Sequence, residues 1–471
     1  MRTDLEEQVQ AFLSIHDEKL VDPREPVDRI FVNHDLRMDC IKYIGFDMDH
    51  TLTRYTREYE VEMYDLMRHH LVEEGYDEKI KSLRYDLNFA IRGLYFDQET
   101  GNLIKVDGAD KILCCFYGRR ELSRSEILKS YTSMAIPDHA EGGRFYFLKN
   151  IQQLPQACLM ADLIELFYNG RYEGDLPSIR NIFDDVLKAY YWAHGGPLQD
   201  AISKDKERFI GNDKHKTAEM LDRLMKGGIK VFLMTNSYWP FVNDIMRYLL
   251  DGQLKDRSSW LEYFDFVIED AGKPGFFQKG DFNMRELDIK TGKLLPGDIK
   301  TLQRHHVYHA GSVQQFYQLT GIKHANTVLY VGDSITSDVI HSSGREAWRT
   351  FLIVPELERD VPVWNSSRDL VKDLQKLYEI KRLMYSSQPL SAESAPDVKE
   401  VKRLIHEMNK ELREKFGRAF GSVLSSGLKN TEYAKTAMES ADLYAYSHVN
   451  LANYTTFHHF QASYRDMPHR I

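Results

Sequence analysis

Five short apolar runs, each stopping at a small or acidic residue, constrain this chain more than any other feature. They are residues 41–46 before Asp47, 230–234 before Thr235, 264–268 before Glu269, 327–331 before Gly332 and 349–354 before Pro355. Runs of this length, apolar at nearly every position, suit strands buried on both faces of a parallel sheet. Amphipathic stretches at 216–226, 241–250 and 313–319 alternate with them. Strand and helix in alternation predict an α/β fold with a doubly wound, parallel-sheet core.

About 180 residues separate the first run from the second, far more than one crossover needs. That gap has helical patterns of its own at 61–74, 156–168 and 178–194, and a hairpin pattern over 94–106 that turns at Gly101-Asn102. It reads as a large inserted, mainly helical cap above the sheet. The predicted division is core over 1–55, cap over 56–210, core again over 211–385, a Ser/Pro/Ala linker at 386–397, and a helical extension over 398–471. The aromatic stripe at 444–464 is expected to pack back on the core or on a second subunit.

Composition narrows the class. With 42% hydrophobic and 28% charged residues, the chain is expected to fold as an ordinary globular protein. No apolar run is long enough for a transmembrane helix, and the acidic, amphipathic N-terminus is unlike a leader, so no membrane partner is expected. The four cysteines (Cys40, Cys114, Cys115, Cys158) show no CxxC spacing, which excludes a zinc ribbon and suits a reducing cytoplasm. The net charge of −9 argues against a nucleic-acid polymer as partner. The pairs His69-His70, His305-His306 and His458-His459 lack an HExxH frame and read as surface histidines.

Chemistry concentrates at the strand exits. In GFDMDHTL (45–52), Asp47 and Asp49 stand two apart where α/β folds bind ligands. One carboxylate there can attack phosphorus, while the other protonates the leaving alkoxide and later activates water. The plain alternative is a pair of aspartates capping a helix start. Thr235, Asn236 and Ser237 close the second run, and hydroxyls and backbone N–H groups at a helix start can cradle phosphate. Lys273 can pair with the nucleophilic carboxylate and with charge on the transferring group, with Lys279 as a nearby rival. Asp333, in GDSITSD, can join Asp47 on one hard divalent cation, Mg²⁺, and Asp338 can ligate it or hold Asp333 in place. An acid pair, a hydroxyl loop, a lysine and a second acid pair, each behind a strand, form a pattern that resembles the haloacid-dehalogenase-like superfamily. Asp49 favours phosphate esters within it, because a halide leaving group needs no proton.

The likeness goes further. RGLYFD with GNLIKVD (92–107), RFYFLKNIQQLP (144–155), KVFLMTNS (230–237), AGKPGFF (271–277), YVGDSITSDVI (330–340) and ADLYAYSHVNL (441–451) resemble the cytosolic purine 5′-nucleotidase family, in its IMP/GMP-preferring branch. The resemblance implies a Mg²⁺-dependent hydrolase of purine nucleoside monophosphates that works through an aspartyl phosphate and can divert to phosphotransfer. It casts Asp47 as nucleophile and metal ligand, and Asp49 as general acid/base with a ligating backbone carbonyl. Thr235, Asn236 and Ser237 become the phosphate loop, Lys273 the charge-stabilising lysine, and Asp333 and Asp338 the remaining metal-site acids. It also implies a homo-oligomer, dimer or tetramer, and a purine-nucleotide effector.

Two departures stand out. Where the family reads the purine with an arginine and an aspartate, this chain has Leu187 and Tyr191, and Gln152 replaces the stacking aromatic. The candidates left to contact substrate are His194, Gln152, Arg180, Lys188 and Tyr191. The chain also ends in MPHRI rather than the long acidic tail of animal members, so tail-dependent regulation is not expected. The rival readings are a phosphatase for another small ester, and a nucleotide-sensing protein with residual chemistry.

Overall fold

The structure is a computed structural model that describes residues 2–16, 22–137, 143–170, 172, 174–278, 283–344 and 346–463. Lys279 and the terminal MPHRI lie outside the described residues.

A ten-stranded sheet forms the core. Its order is Phe31–Val32, Leu443–Ala445, Arg349–Ile353, Val328–Gly332, Tyr43–Phe46, Lys230–Met234, Phe266–Glu269, His306–His309, Arg285–Asp288 and Lys293–Leu294. The seven strands from Leu443–Ala445 to His306–His309 run parallel. Antiparallel strands close both edges. All five expected runs are strands, and Val328–Gly332 is buried at every position, as its unbroken apolar character requires. The third starts at Phe266 rather than 264, because Phe264 N–H bonds to the Leu261 carbonyl and closes a turn over Trp260–Tyr263.

Gly45 sits at the centre of this sheet, in register with Tyr330 on one side and Phe232 on the other. A Cβ there would lie 2.3 Å from the Phe232 ring, so only glycine lets these two aromatic side chains converge.

The strand His306–His309 escaped the sequence reading because its ends are polar. Val307 and Tyr308 are buried, while the flanking histidines reach Glu286 and Glu269.

The cap is mainly helical, as expected, and also holds strands that the sequence announced only in part. It contains a five-stranded antiparallel sheet ordered Arg120–Glu121, Ile112–Tyr117, Asn102–Val106, Leu94–Asp97 and Phe145–Leu148. The expected hairpin is present, and Gly101 turns it at φ +78°. Of the other strands, Ile112–Tyr117 hid because four of its six residues are buried, with no alternation to mark it. The helices Arg57–Glu73, Leu154–Ile164 and Ile179–His194 pack together beside it.

The C-terminal part is likewise not purely helical. Leu443–Ala445 adds a strand to the core sheet, paired with Arg349–Ile353. Of these three residues only Tyr444 is a strong β-former, too little to announce a strand when its partner is remote in sequence. The same part also grips the cap, where the buried Lys105 donates to the carbonyls of Phe420, Ser422 and Ser425 at 2.8, 2.6 and 2.8 Å.

Candidate active site

The site forms at the carboxyl ends of four adjacent core strands. Asp47 N–H continues the ladder to the Val331 carbonyl at 2.9 Å, which fixes this residue at the sheet edge. The chain then turns tightly: Thr51 and Thr53 N–H both return to the Met48 carbonyl, and His50 takes φ +56°. The turn brings Asp49 into the same cleft. Its Oδ1 accepts from the Tyr55 hydroxyl at 2.6 Å and its Oδ2 from Ser237 Oγ at 2.7 Å.

Lys273 lies buried beneath Asp47. Its Nζ is 2.9 Å from Asp47 Oδ1, 2.8 Å from Asp338 Oδ1 and 2.7 Å from the Tyr330 hydroxyl, which in turn donates to the Met234 carbonyl. Three acceptors match the three ammonium protons. Burial favours the neutral amine, but Asp338 and Asp47 outweigh it and hold the ammonium well above its ordinary range. Asn236 fixes the lysine loop, donating to the Lys273 carbonyl at 2.8 Å and accepting its N–H at 2.7 Å. Thr235 Oγ1 accepts from Ser237 N–H at 3.1 Å and orders the loop of Thr235, Asn236 and Ser237.

Asp47, Asp333 and Asp338 are all buried, and one ligand oxygen from each lies within 4.8 Å of the others. Gly332 makes this possible, since a Cβ there would stand 2.5 Å from the Asp338 side chain. Asp338 Oδ2 also accepts from Ser334 N–H at 3.1 Å. Asp333 Oδ2 is buried without a hydrogen-bond partner among the described residues. Burial, then the charges of Asp338 and Asp47, push Asp333 well above the usual carboxylate range. Burial is also the main force that raises Asp47, to about 7, against the pull of Lys273. Three crowded carboxylates facing one ammonium, with an orphaned oxygen among them, fit a hard divalent cation. The Asp49 carboxylate stands outside this nest, on its two hydroxyl donors.

A cavity of about 850 Å³ opens between this nest and the cap. Gln152, Arg180 and His194 line it, as does Leu187. Arg180 is engaged with Gln98 and with Asp184. Burial lowers the pKa of His194, whose ring is parallel to that of Tyr190 within 6°.

Lys188 and Tyr191 do not reach the cavity, contrary to expectation. Helix Ile179–His194, capped by Ser178, buries Ile182, Phe183, Val186, Ala189, Tyr190 and Ala193. Helical spacing turns Lys188 and Tyr191 to the opposite side. Tyr191 is 62% exposed, and Lys188 pairs with Asp185 at 3.1 Å.

Sequence reasoning missed Tyr55, Tyr330 and the pair Arg92–Glu356. Arg92 is fully buried, bonds both Glu356 oxygens at 2.8 and 2.6 Å, and donates to the Asp333 carbonyl at 3.0 Å. The only signal was its place at the head of RGLYFD. The histidine pairs join no metal group among the described residues; His70 instead stacks on Trp192 with centroids 4.2 Å apart.

Paired aspartates at a strand exit, a buried lysine and an acid nest under a cap define a phosphoric monoester hydrolase with an α/β core. The profile described as the 5′ nucleotidase family matches residues 30–471, and the chain belongs to that family. A 5′-nucleotidase domain-containing protein of Dictyostelium discoideum is 32% identical over 463 residues, 95% of this chain and 75% of its own. Among solved structures, an archaeal beta-phosphoglucomutase from Pyrococcus sp. strain ST 04 aligns with TM-score 0.30 and 10% identity, over 66% of this chain and 86% of its own.

Proposed function

We propose that this hydrolase is a Mg²⁺-dependent 5′-nucleotidase acting on purine nucleoside 5′-monophosphates, IMP and GMP foremost. The observation that carries the mechanism is the pairing of Asp47 with Lys273 and of Asp49 with two hydroxyl donors in one cleft. Asp47 attacks phosphorus in line, and the bond from phosphorus to the ribose 5′ oxygen breaks as Asp49 delivers a proton to that oxygen. Asp49 then removes a proton from water, which displaces phosphate from Asp47. A nucleoside hydroxyl in place of that water gives phosphotransfer. Lys273 and the loop Thr235, Asn236 and Ser237 face the phosphoryl oxygens as charge builds on them. Asp47, Asp333 and Asp338 would hold the cation, which supplies further positive charge to those oxygens when bound.

The purine preference is supported by family membership and by a cavity wall that combines Phe145, Tyr146, Phe147 and Phe183 with Gln152, Arg180 and His194. The reading extends to a cytoplasmic homo-oligomer with a nucleotide effector, and light scattering with and without purine nucleotides checks both. Phosphate release from nucleoside monophosphates and sugar phosphates, with Mg²⁺ present, tests the substrate. Selective cleavage of IMP and GMP is expected. Activity confined to a sugar phosphate would refute the substrate and favour a redirected cap, for which Leu187 in the cavity wall is the motive.

A further inference from the structure

Glu269 is a buried carboxylate with no part in the chemistry described so far. It ends strand Phe266–Glu269, whose other residues are apolar, and only 2% of it is exposed. A carboxylate in such a place is costly unless it is well hydrogen-bonded. Both of its oxygens are engaged. Oε1 lies 2.6 Å from Nδ1 of His309, its register partner on strand His306–His309, and Oε2 accepts the Trp239 N–H at 3.0 Å. Burial favours the neutral acid, while the His309 ring and the Trp239 N–H pull the other way.

These contacts lead to two loops of the site. Trp239 opens helix Trp239–Leu250, just after Thr235, Asn236 and Ser237. The residues next to Glu269 are stitched to that same loop. Asp270 N–H donates to the Ser237 carbonyl at 3.1 Å, and Ala271 N–H donates to the Thr235 carbonyl at 2.9 Å. Lys273 follows two positions later, its backbone held by Asn236. His309 braces this seam from the neighbouring strand. Its Nε2 stands 3.7 Å from Asp270 Oδ2, and the Ala310 N–H donates to the Glu269 carbonyl at 3.0 Å. Asp270 and Ala310, which follow the pair, take φ +43° and +54°. That left-handed region is unfavourable for residues with a Cβ, and it persists where surrounding bonds over-determine the backbone.

We propose that His309 and Glu269 are positioning residues for phosphoryl transfer: the pair sets the loop of Thr235, Asn236 and Ser237 against the loop that carries Lys273. Neither side chain lines the catalytic cavity, so both act through residues that do. In the proposed mechanism, on which this inference rests, Ser237 Oγ orients Asp49 and Lys273 Nζ pairs with Asp47. A shift of either loop then misplaces a donor that matters most in the transition state.

The test is steady-state hydrolysis, with Mg²⁺ saturating, of whichever panel ester the wild type cleaves fastest, in three variants of the full chain. Asn can place its amide donor where His309 Nδ1 stands, Gln can place one only where Nε2 stands, and Ala removes both. His309→Ala and His309→Gln are expected to lower kcat about tenfold, the scale of one hydrogen bond to a charged group, with KM within about twofold. His309→Asn should keep kcat within about threefold of wild type. A brace that only stabilised the fold would lower the melting temperature without this split, since fold stability does not set kcat in an enzyme that stays folded at the assay temperature. An unchanged kcat in His309→Ala would overturn the proposal, whether or not KM moved, as would equal losses in the Asn and Gln variants. If His309→Ala fails to fold, the comparison of Asn with Gln decides. Failure of the nucleotidase reading would appear in the wild-type substrate panel, whereas failure of this inference appears only in the ratios between variants.

Discussion

The hydroxyl of Tyr55 lies 2.6 Å from Oδ1 of Asp49, the carboxylate that in the proposed mechanism exchanges a proton twice per turnover. Burial holds the Tyr55 hydroxyl well above its ordinary pKa, so it stays a donor across the working pH range. With Ser237 on the other oxygen, the carboxylate plane is set before substrate arrives. Tyr55→Phe keeps the ring and removes the bond. Steady-state kinetics should show kcat falling roughly tenfold with KM little changed, as for an interaction that matters in the transition state.

Asp47→Asn removes the proposed nucleophile but keeps the shape of the side chain. Turnover should fall by at least about a thousandfold, while circular dichroism and melting remain close to wild type. Retained activity would mean that phosphorus is attacked by something other than Asp47.

Chelation should stop turnover and added Mg²⁺ should restore it. Asp338 ties the acid nest to Lys273 and to Ser334 N–H. Asp338→Asn is therefore expected to raise the Mg²⁺ concentration for half-maximal activity by roughly 10–100-fold. An unchanged Mg²⁺ dependence would remove Asp338 from the metal site.

Arg92 and Glu356 are buried together, and either one alone would be an unpaired charge in the interior. Arg92→Met should cost about 3–5 kcal/mol in urea unfolding. Adding Glu356→Gln should recover part of that loss, because the stranded carboxylate is then neutral. Equal stability of the single and double variants would show that the pair is not energetically coupled.

His448 is buried with its Nε2 2.9 Å from Thr217 Oγ1, and burial lowers its pKa from 6.5 to about 4. The unfolded chain takes up this proton near pH 6.5, whereas the native state refuses it until about pH 4. Stability attributable to this group is therefore complete above pH 6.5 and declines as the pH falls toward 4, by roughly 3 kcal/mol in all. Urea titrations between pH 7.5 and 5 should show the decline, and His448→Gln should flatten it.

The chemistry was legible in the sequence because its residues occupy positions with a repeated local form. Each of Asp47, Thr235, Lys273 and Asp333 follows an apolar run, and each run became a strand of the parallel block. A buried strand has no freedom to hide its apolar pattern, so the order of the motifs already implied one cleft. The cap was less legible. Its hairpin over 94–106 was read, but Ile112–Tyr117, mostly buried, has neither alternation nor length to distinguish it from a helical segment.

The cavity wall was the least legible part, and the reason lies in helix phase. On Ile179–His194 the buried stripe leaves Lys188 and Tyr191 on the side opposite to it, while Gln152 reaches the cavity from the separate turn Ile151–Gln153. The roles of Tyr55, Tyr330 and Arg92 likewise depend on partners 6, 57 and 241 residues away, at separations that carry no local pattern. By itself, the sequence determined the class of chemistry and the central strands, since both follow from short-range composition. The orientation of the acids and the lining of the cavity were decided only by tertiary structure, because each depends on which distant side chains share one buried space.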